Sequence, residues 1–443
     1  MRLPFAAALA MGIAWAPAAV AQDGPPASQF PQPAPLPAPL SAPLPAPPSL
    51  TLDEAIARAL AAEPRIGAAR ARLDAASATM DQADVLPNPE LGVELENFQG
   101  SGPYRGYRSV EATYGLTQTV ELGGKRGARV AAARADRLAA GQELTAAQLD
   151  LVRDVRTAFA AAAAADRAVV LAGERVRLAG EVERSIEARV AAGRETVVQA
   201  DRAGIARRQA ELAFDQARQR AAAARRTLAG LIGATPLPGA LSGPLDDAWF
   251  LRLDLPAPAA DGPVPAETAD LQRRQVEVVR GRAAVEVERS RAVPDLTLSA
   301  GVRRFRESGD NAFLVGVSIP IPVFDSNRGA IARARAEAAA AEADLAAARL
   351  DLDRRMLAAR SSLEAARDTA ATLKERIIPA AEQAFAFSRE GYRQGKFSYL
   401  EVLDAQRTLA EAQADLIDAL QGFHTARAEL ERLTATTGPD GQR

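Results

Sequence analysis

The sequence predicts a mainly α-helical chain with four β-strands of the kind that form a membrane β-barrel, built as an internal two-fold repeat. One observation is a pair of very long helical segments, residues 127–192 and 329–394, each roughly 100 Å long at about 1.5 Å per residue. The other is a pair of amphipathic hairpins, one ahead of each long segment. Three pairs of residues keep a constant spacing of 202 positions between the halves: Arg126 and Arg328, Gly127 and Gly329, and Gly193 and Gly395.

The first 48 residues read as an export signal followed by a linker. Residues 1–21 combine Arg2, an apolar run and a small-residue site ending at Ala21, which together predict a secretory signal peptide. Residues 22–48 are rich in proline and predict an extended linker. The chain has no cysteine, which excludes disulfides and thiolate chemistry. Its formal net charge of −2 gives a nucleic-acid partner no electrostatic support.

The first repeat, residues 49–233, begins with a helical pattern that Pro64 should interrupt. After Pro89 the pattern changes to the period of two that is typical of strands. We expect strands over 90–97 and 109–117, and in the second repeat over 296–303 and 313–319. Each strand alternates apolar with polar residues. The acidic side chains on the polar faces, which we expect to line a lumen and favour cations, are Glu94, Glu96 and Glu111.

These strands have the length needed to span a membrane, about nine to eleven residues. Four strands cannot close a membrane barrel, since single-chain barrels start at about eight. Two copies would give eight strands and a filled interior, whereas three give twelve strands and a lumen. Either hairpin alone would also fit a soluble α+β protein, but their equivalent places in a repeat favour the barrel. Aromatic residues near the strand ends fit the membrane interfaces: Phe98, Tyr104, Tyr107, Phe305 and Phe313.

Charges recur along both long segments, which excludes membrane-spanning helices, so we expect these helices to pack against neighbouring helices. Residues 234–265 form a connector rich in proline and glycine that contains Trp249 and Phe250. The second repeat covers residues 266–433, and residues 434–443 form a C-terminal tail. Pro379 lies within the second long helix, where we expect a kink.

No catalytic, cofactor-binding or metal-binding constellation is visible in the sequence, so we expect a protein that is not an enzyme. His424 is the only histidine, and a packing or surface role is the simplest interpretation of it. The glycine-rich segment 123–127 lacks the spacing of a phosphate-binding loop. We expect it to form a strand-to-helix turn, with a second such turn in the other repeat. The residues assigned to these turns are Gly123, Gly124 and Arg126, and Arg328 and Gly329.

The order of elements resembles the TolC-like outer-membrane efflux protein family over about residues 49–433. The motifs QTVELGGKR (residues 118–126) and REGYRQGKFSYLEVLDAQR (residues 389–407) are similar to the CzcC-type subgroup, which serves heavy-metal exporters of the RND class. This resemblance implies a homotrimer with a twelve-stranded barrel in the lipid of the outer membrane and a coiled-coil helical tunnel in the periplasm. It also implies helical tips that dock a periplasmic membrane-fusion adaptor, which is bound to an inner-membrane RND pump.

The resemblance assigns residues to the tips and to a periplasmic gate. The tip positions are Gly193, Arg194, Gly395 and Lys396. The gate positions are Glu401 and Asp404, which are three apart and so share a helix face. The equivalents in the first repeat are Gln199 and Arg202, so an acidic gate would come mainly from the second repeat. A solvated helix face is the alternative interpretation of the acidic pair.

The function that follows is the outer-membrane channel of a tripartite efflux system that exports divalent heavy-metal cations. Two variants of the same fold stay open: a multidrug channel and a channel for type I secretion of a polypeptide. A different class is a non-conducting coiled-coil protein that bridges the two membranes. Such a bridge would not need two amphipathic hairpins of membrane-spanning length, and we therefore favour the channel.

Overall fold

The computed structural model describes residues 49–233, 245–253 and 267–438. The predicted signal peptide and proline-rich linker, most of the predicted connector and the end of the predicted tail lie outside these residues. Within them the chain is mostly helical, with one small sheet.

The first repeat folds as two helices, a hairpin, a long helix and a returning helix. Helices α1 (Leu52–Ala62) and α2 (Pro64–Ala83) meet at Pro64, which occupies the first position of α2, where its missing N–H is no loss. Strands β1 (Glu90–Glu96) and β2 (Glu111–Val120) follow. Helix α3 (Lys125–Ala191) has 67 residues, and α4 (Val197–Leu231) returns beside it. A short helix, α5 (Asp247–Phe250), follows in the connector.

The second repeat follows the same plan, with one interruption. Helix α6 (Ala269–Arg291) leads to strands β3 (Leu296–Phe305) and β4 (Asn311–Ser318). The long helix is divided into α7 (Arg328–Thr372), a π-helical turn (Leu373–Ile377) and α8 (Ile378–Arg393). The kink predicted at Pro379 stays a prediction; the π turn ends two residues before this proline, which cannot donate to the preceding helical turn. Helix α9 (Tyr399–Thr434) returns.

The four strands form one antiparallel sheet in the order β1-β2-β3-β4. The register joins the two repeats through β2 and β3, where Gly115 lies opposite Gly301. Strands β1 and β4 are the edges, so in the part of the chain that the structure describes, each pairs on one side only. The predicted strands are confirmed with small shifts at their ends: β2 begins at Glu111 rather than at Ser109, and β4 ends at Ser318 rather than at Ile319.

Helix α3 is the centre of the helical part, because it packs against α2, α4, α6 and α9. Its buried face is largely alanine, and Ala160, Ala162 and Ala163 are fully buried. Small side chains let neighbouring helix backbones approach closely. A larger core surrounds Phe159, against which the Trp249 ring packs edge-on at 5.5 Å between ring centroids. Among the described helices, none is both long enough and apolar enough to cross a membrane.

Candidate functional site

The sheet has one strongly apolar face, and its side chains are exposed. Register places Val93, Tyr114, Val302 and Phe313 in one row across the four strands. The exposed fraction reaches 85% for Phe313 and 86% for Val315. A contiguous apolar surface of this kind indicates contact with lipid or with another protein. The exposed apolar side chains of this face are Leu91, Val93, Leu95, Tyr114, Leu116, Leu298, Phe313, Val315 and Val317.

The opposite face carries the three predicted acidic residues, together with an arginine that the sequence analysis did not single out. The guanidinium of Arg303 on β3 lies 3.0 Å from the carboxylate of Glu96 and 3.3 Å from that of Glu111. It also donates a hydrogen bond of 2.9 Å to the hydroxyl of Thr113. Glu94 lies on the same face of β1, opposite Thr113. The polar face therefore carries a positive charge, Arg303, beside the three predicted acidic residues.

Next to this cluster, three of the four strands contribute glycines to the polar face. Gly92, Gly115 and Gly301 lie opposite one another across β1, β2 and β3. At Gly301 a Cβ atom would come within 2.6 Å of the carbonyl oxygen of Tyr114, so the local strand packing requires a glycine there. No side chain projects from these three positions, and in the same row β4 contributes Leu314.

One of the aromatic residues predicted at the membrane interfaces lies on the polar face of the sheet. Phe305 lies opposite Glu111, on the polar face with Arg303, because odd-numbered residues of β3 point to that side. Phe98 and Tyr107 stack on each other in the β1–β2 loop, with ring centroids 6.1 Å apart. Tyr104 in the same loop and Phe313 on β4 are exposed, as expected of residues at a membrane interface.

The two strand-to-helix turns are built differently. In the first turn, Gly123 and Gly124 have φ of 70° and 73°, a left-handed conformation that glycine tolerates. Arg126, in the first turn of α3, forms an ion pair with Asp84 at 3.0 Å. In the second turn the left-handed residue is Asn327, whose side-chain amide donates to Glu288. Arg328 and Gly329, which the sequence assigned to this turn, directly follow Asn327 as the first residues of α7.

A second ion pair ties the first turn to the second repeat. The ammonium group of Lys125 lies 2.7 Å from the carboxylate of Asp295, which also accepts a hydrogen bond from the N–H of Leu122. Burial opposes ionisation of Asp295, but these two donors outweigh it and hold the pKa of the carboxyl below its usual value. The junction between sheet and helices is therefore fixed by charge as well as by backbone pairing.

The two tips are made by the same backbone motif. Gly193 and Gly395 have φ of 66° and 74°. After α3, the N–H of Arg194 donates to the carbonyl of Arg189 at 2.9 Å, and the N–H of Lys396 donates equivalently to Gly391 at 2.8 Å. This is the Schellman arrangement, in which a left-handed residue ends the helix and satisfies its last carbonyls. The sequence prediction of glycine turns at both positions is confirmed.

Behind the tips, the helical hairpin of α3 and α4 packs against that of α8 and α9. Tyr392 and Tyr399 form a buried pair whose ring centroids are 6.1 Å apart, next to the fully buried Ile186. The guanidinium of Arg189 lies over the Tyr392 ring at 4.8 Å, a favourable cation–π distance. Burial raises the pKa of Tyr399 to about 12, so its hydroxyl stays protonated. The tips are thus a joint structure of both repeats.

The predicted gate residues lie in the first turns of α9, and each has a local partner. The carboxylate of Glu401 accepts from the N–H of Ser398 at 2.6 Å and from its hydroxyl at 3.1 Å, forming a capping box. Asp404 lies 3.2 Å from Arg407, and both side chains are exposed. Glu401 therefore serves helix α9 itself, in addition to any role in a gate.

No group of three or more histidine, cysteine, aspartate or glutamate side chains is arranged to hold a metal ion in residues 49–233, 245–253 and 267–438. His424 is buried and packs face to face with Trp249, with ring centroids 4.0 Å apart. Its Nε2 donates to the carbonyl of Phe250 at 2.9 Å. The packing role is the one that the structure gives to this histidine.

Residues 55–234 and 265–436 match the outer membrane efflux protein family. The chain belongs to this family. It is 34% identical to the cobalt-zinc-cadmium resistance protein CzcC of Cupriavidus metallidurans, over 87% of this chain and 90% of that protein. It is 32% identical to the nickel and cobalt resistance protein CnrC of the same organism, over 63% of this chain and 65% of that protein.

A solved channel has the same fold. The outer membrane channel CmeC of Campylobacter jejuni matches with a TM-score of 0.74 at 13% identity, over 90% of this chain and 91% of that one. The chain is therefore an efflux protein of the outer membrane, with its helices in the periplasm. The helices leave one end of the sheet, and the hairpin loops lie at the other end.

Proposed function

We propose that three copies of this chain form the outer-membrane channel of a tripartite efflux system that exports divalent heavy-metal cations. The observation that carries the proposal is the four-stranded sheet with one exposed apolar face, followed by long helices, of which α3 has 67 residues. Three such sheets supply twelve strands, enough for a barrel with a lumen. The chain acts as a conduit and not as an enzyme.

The edges of the sheet support closure by neighbouring copies. Strands β1 and β4 each present a row of backbone N–H and C=O groups without a partner among the described residues. In lipid an unpaired backbone group costs several kcal/mol, so such edges must pair. Pairing β4 of one copy with β1 of the next satisfies both edges and places the apolar face outside and the Arg303 cluster inside.

Two observations support a metal cation as the cargo. Three relatives, at 31% to 34% identity, are named as resistance proteins for cobalt, zinc, cadmium or nickel. The polar face carries four glutamates (Glu90, Glu94, Glu96 and Glu111) and one arginine per chain, which leaves an excess of negative charge in a lumen. Such a charge attracts cations without binding them tightly, as conduction requires.

The tips supply the surface for docking. Gly193, Arg194, Gly395 and Lys396 are exposed at the end furthest from the sheet, and the shared Schellman motif fixes their backbone. We infer that these tips contact a periplasmic adaptor, which connects the channel to an inner-membrane RND pump. Glu401 and Asp404, directly behind the second tip, would contribute acidic rings to the periplasmic entrance.

The test is growth of a strain lacking the gene, on zinc, cobalt, cadmium, nickel and copper, beside a panel of dyes and antibiotics. We expect sensitivity to divalent metals alone, restored by the intact gene. Gly395→Ala should restore growth poorly, because alanine is strained at a φ of 74°. The matched control is Gly329→Ala, which lies in a helix where a Cβ atom meets nothing within 4 Å.

Each alternative cargo has its own outcome. Sensitivity to dyes and antibiotics with normal metal tolerance would keep the channel but assign it to multidrug export. Normal tolerance to every compound, with loss of a secreted polypeptide from the medium, would assign it to type I secretion. A bridging protein without a pore would give no ionic current when the purified chain is added to a planar bilayer.

A further inference from the structure

The apolar face of the sheet ends in an arginine at the end of the strands that carries the hairpin loops. On β3, the residues of this face are Leu296, Leu298, Ala300 and Val302, and the next position on the same face is Arg304. Arg304 lies opposite Ala112 on β2 and Asn311 on β4, in the row closest to the hairpin loops. Its side chain is exposed. Whatever covers the apolar face therefore also reaches Arg304.

Three more arginines lie in the adjoining loops. Arg306 follows β3, and its N–H donates to the carbonyl of Val110 at 3.0 Å. Arg105 and Arg108 lie in the β1–β2 loop, residues 97–110, which contains no acidic residue. All three are exposed. Unlike Arg303, neither they nor Arg304 form an ion pair with a carboxylate among the described residues.

We propose that Arg304, Arg306, Arg105 and Arg108 bind the phosphate groups of a phosphorylated lipid in the outer leaflet of the outer membrane. The proposal rests on the proposed barrel, in which the apolar face contacts lipid. These four residues are called the outer arginine belt below.

The chemistry of the position favours a lipid phosphate over other anions. Arginine presents a planar fork of donors that matches a phosphate in two-point contact. An arginine at the end of an apolar surface extends its charged group to the interface while its stem stays in the apolar layer. Tyr104 and the stacked pair of Phe98 and Tyr107 lie in the same loop, as aromatic residues do at the level of lipid headgroups.

A protein partner fits the position less well. Arg304 shares its face and its row with the lipid-facing residues, and a soluble protein at the cell surface would not reach that face of the sheet. An acidic protein could contact only the loop residues Arg105, Arg108 and Arg306. The two occupants therefore differ in whether Arg304 takes part.

The experiment measures binding of the purified full-length protein to phosphatidylcholine vesicles with and without lipid A, a diphosphorylated glycolipid. The test variant is the double change Arg304→Gln with Arg306→Gln. Each basic residue near an anionic surface contributes about 1 kcal/mol, so we expect roughly thirtyfold weaker binding to the lipid A vesicles. Binding to vesicles without lipid A should not change.

The control is Arg303→Gln, which removes one positive charge from the residue adjacent to Arg304 on the opposite face. We expect this variant to bind lipid A vesicles like the unchanged protein. Equal binding by the Arg304/Arg306 variant, or equal weakening by Arg303→Gln, would overturn the proposal. Loss of binding only in an Arg105→Gln, Arg108→Gln variant would also overturn it, in favour of a contact made by the loop alone.

A planar-bilayer recording on the same preparations separates this proposal from the proposed function. If the unchanged protein gives no channel current, the proposed function fails. If it conducts and all variants bind lipid A equally, the outer arginine belt alone is refuted. Current from the Arg304/Arg306 variant equal to that of the unchanged protein would show that the variant is folded and assembled.

Discussion

His424 makes the stability of the helical part depend on pH. Burial is the main cause that lowers the pKa of this histidine from 6.5 to about 4. The unfolded chain, with the higher pKa, therefore binds more protons than the folded chain between about pH 6.5 and pH 4. Stability from the neutral ring is fully present above this window and is lost as the pH falls through it. Between pH 7 and about pH 4.5 the loss should be about 2 to 3 kcal/mol.

The variant His424→Gln isolates this effect, since glutamine can still donate to the carbonyl of Phe250 but does not titrate. Urea unfolding of both proteins at the two pH values gives the comparison. Carboxylates titrate in both proteins, so the quantity of interest is the difference between their pH dependences. Equal dependences would show that the ring is not responsible.

Two substitutions of Glu401 distinguish a role in capping helix α9 from a role in a periplasmic gate. Glu401→Gln removes the charge and keeps an oxygen that accepts from Ser398, whereas Glu401→Ala removes both. Loss of the cap should cost about 1 kcal/mol, so we expect a lower unfolding free energy for the alanine variant alone. If Glu401 also belongs to an acidic ring, both variants should show lower cation preference in bilayer recordings. Unchanged preference in both would leave Glu401 with the capping role.

At the scale of the strands, the closure of the barrel can be tested by cross-linking. Strands β1 and β4 are not neighbours within one sheet, and the chain contains no cysteine. A cysteine at Val93 on β1, combined in turn with one at Phe313, Val315 or Val317 on β4, can therefore form disulfides only between copies. We expect bands of two and three chains on a denaturing gel after oxidation of membranes.

The control for this experiment is the pair Val93→Cys and Tyr114→Cys, which face each other across β1 and β2 of one chain. This pair should cross-link within the chain and give no ladder. If none of the β4 positions joins two chains while the control pair forms, the β1–β4 closure is wrong.

For the assembled channel, the charge of the lumen is the quantity that selects ions. Replacing Glu94, Glu96 and Glu111 by glutamine should lower cation over anion permeability, because negative charge is lost from the pore. Arg303→Gln should raise it, since the two carboxylates that share this guanidinium are released. Reversal potentials in a salt gradient across a planar bilayer measure both. Arg304→Gln is the control on the outer face, and a shift as large as that of Arg303→Gln would contradict the assignment of the faces.

The features predicted from sequence were those that local chemistry determines. Pro64, Gly193 and Gly395 act on their own segment of backbone, and the alternation of the strands assigns each residue to a face. The Arg303 cluster was not predictable in this way, because it requires β3 to lie beside β2 in one register. The environment of His424 was missed for the same reason, since Trp249 and Phe250 come from a segment more than 170 residues away.

The second strand-to-helix turn shows a different limit of prediction from the sequence. The constant spacing of the repeat pointed to Gly329 as the counterpart of Gly127, and both lie within helices. The residue that turns the backbone is Asn327, whose side-chain amide donates to the carbonyl oxygen of Glu288. An internal repeat predicts where a turn occurs more reliably than which residue makes it.

The matched lengths of the two long helical arms constrain which insertions and deletions the protein can accommodate. Helix α3 has 67 residues, and α7, the π turn and α8 have 45, 5 and 16, so the two arms agree to within one residue. Both arms start at the same sheet and end in tips that pack together. A deletion of one heptad from a single arm would displace its tip by about 10 Å relative to the other. A change in the length of the helical part therefore requires matching insertions or deletions in both repeats.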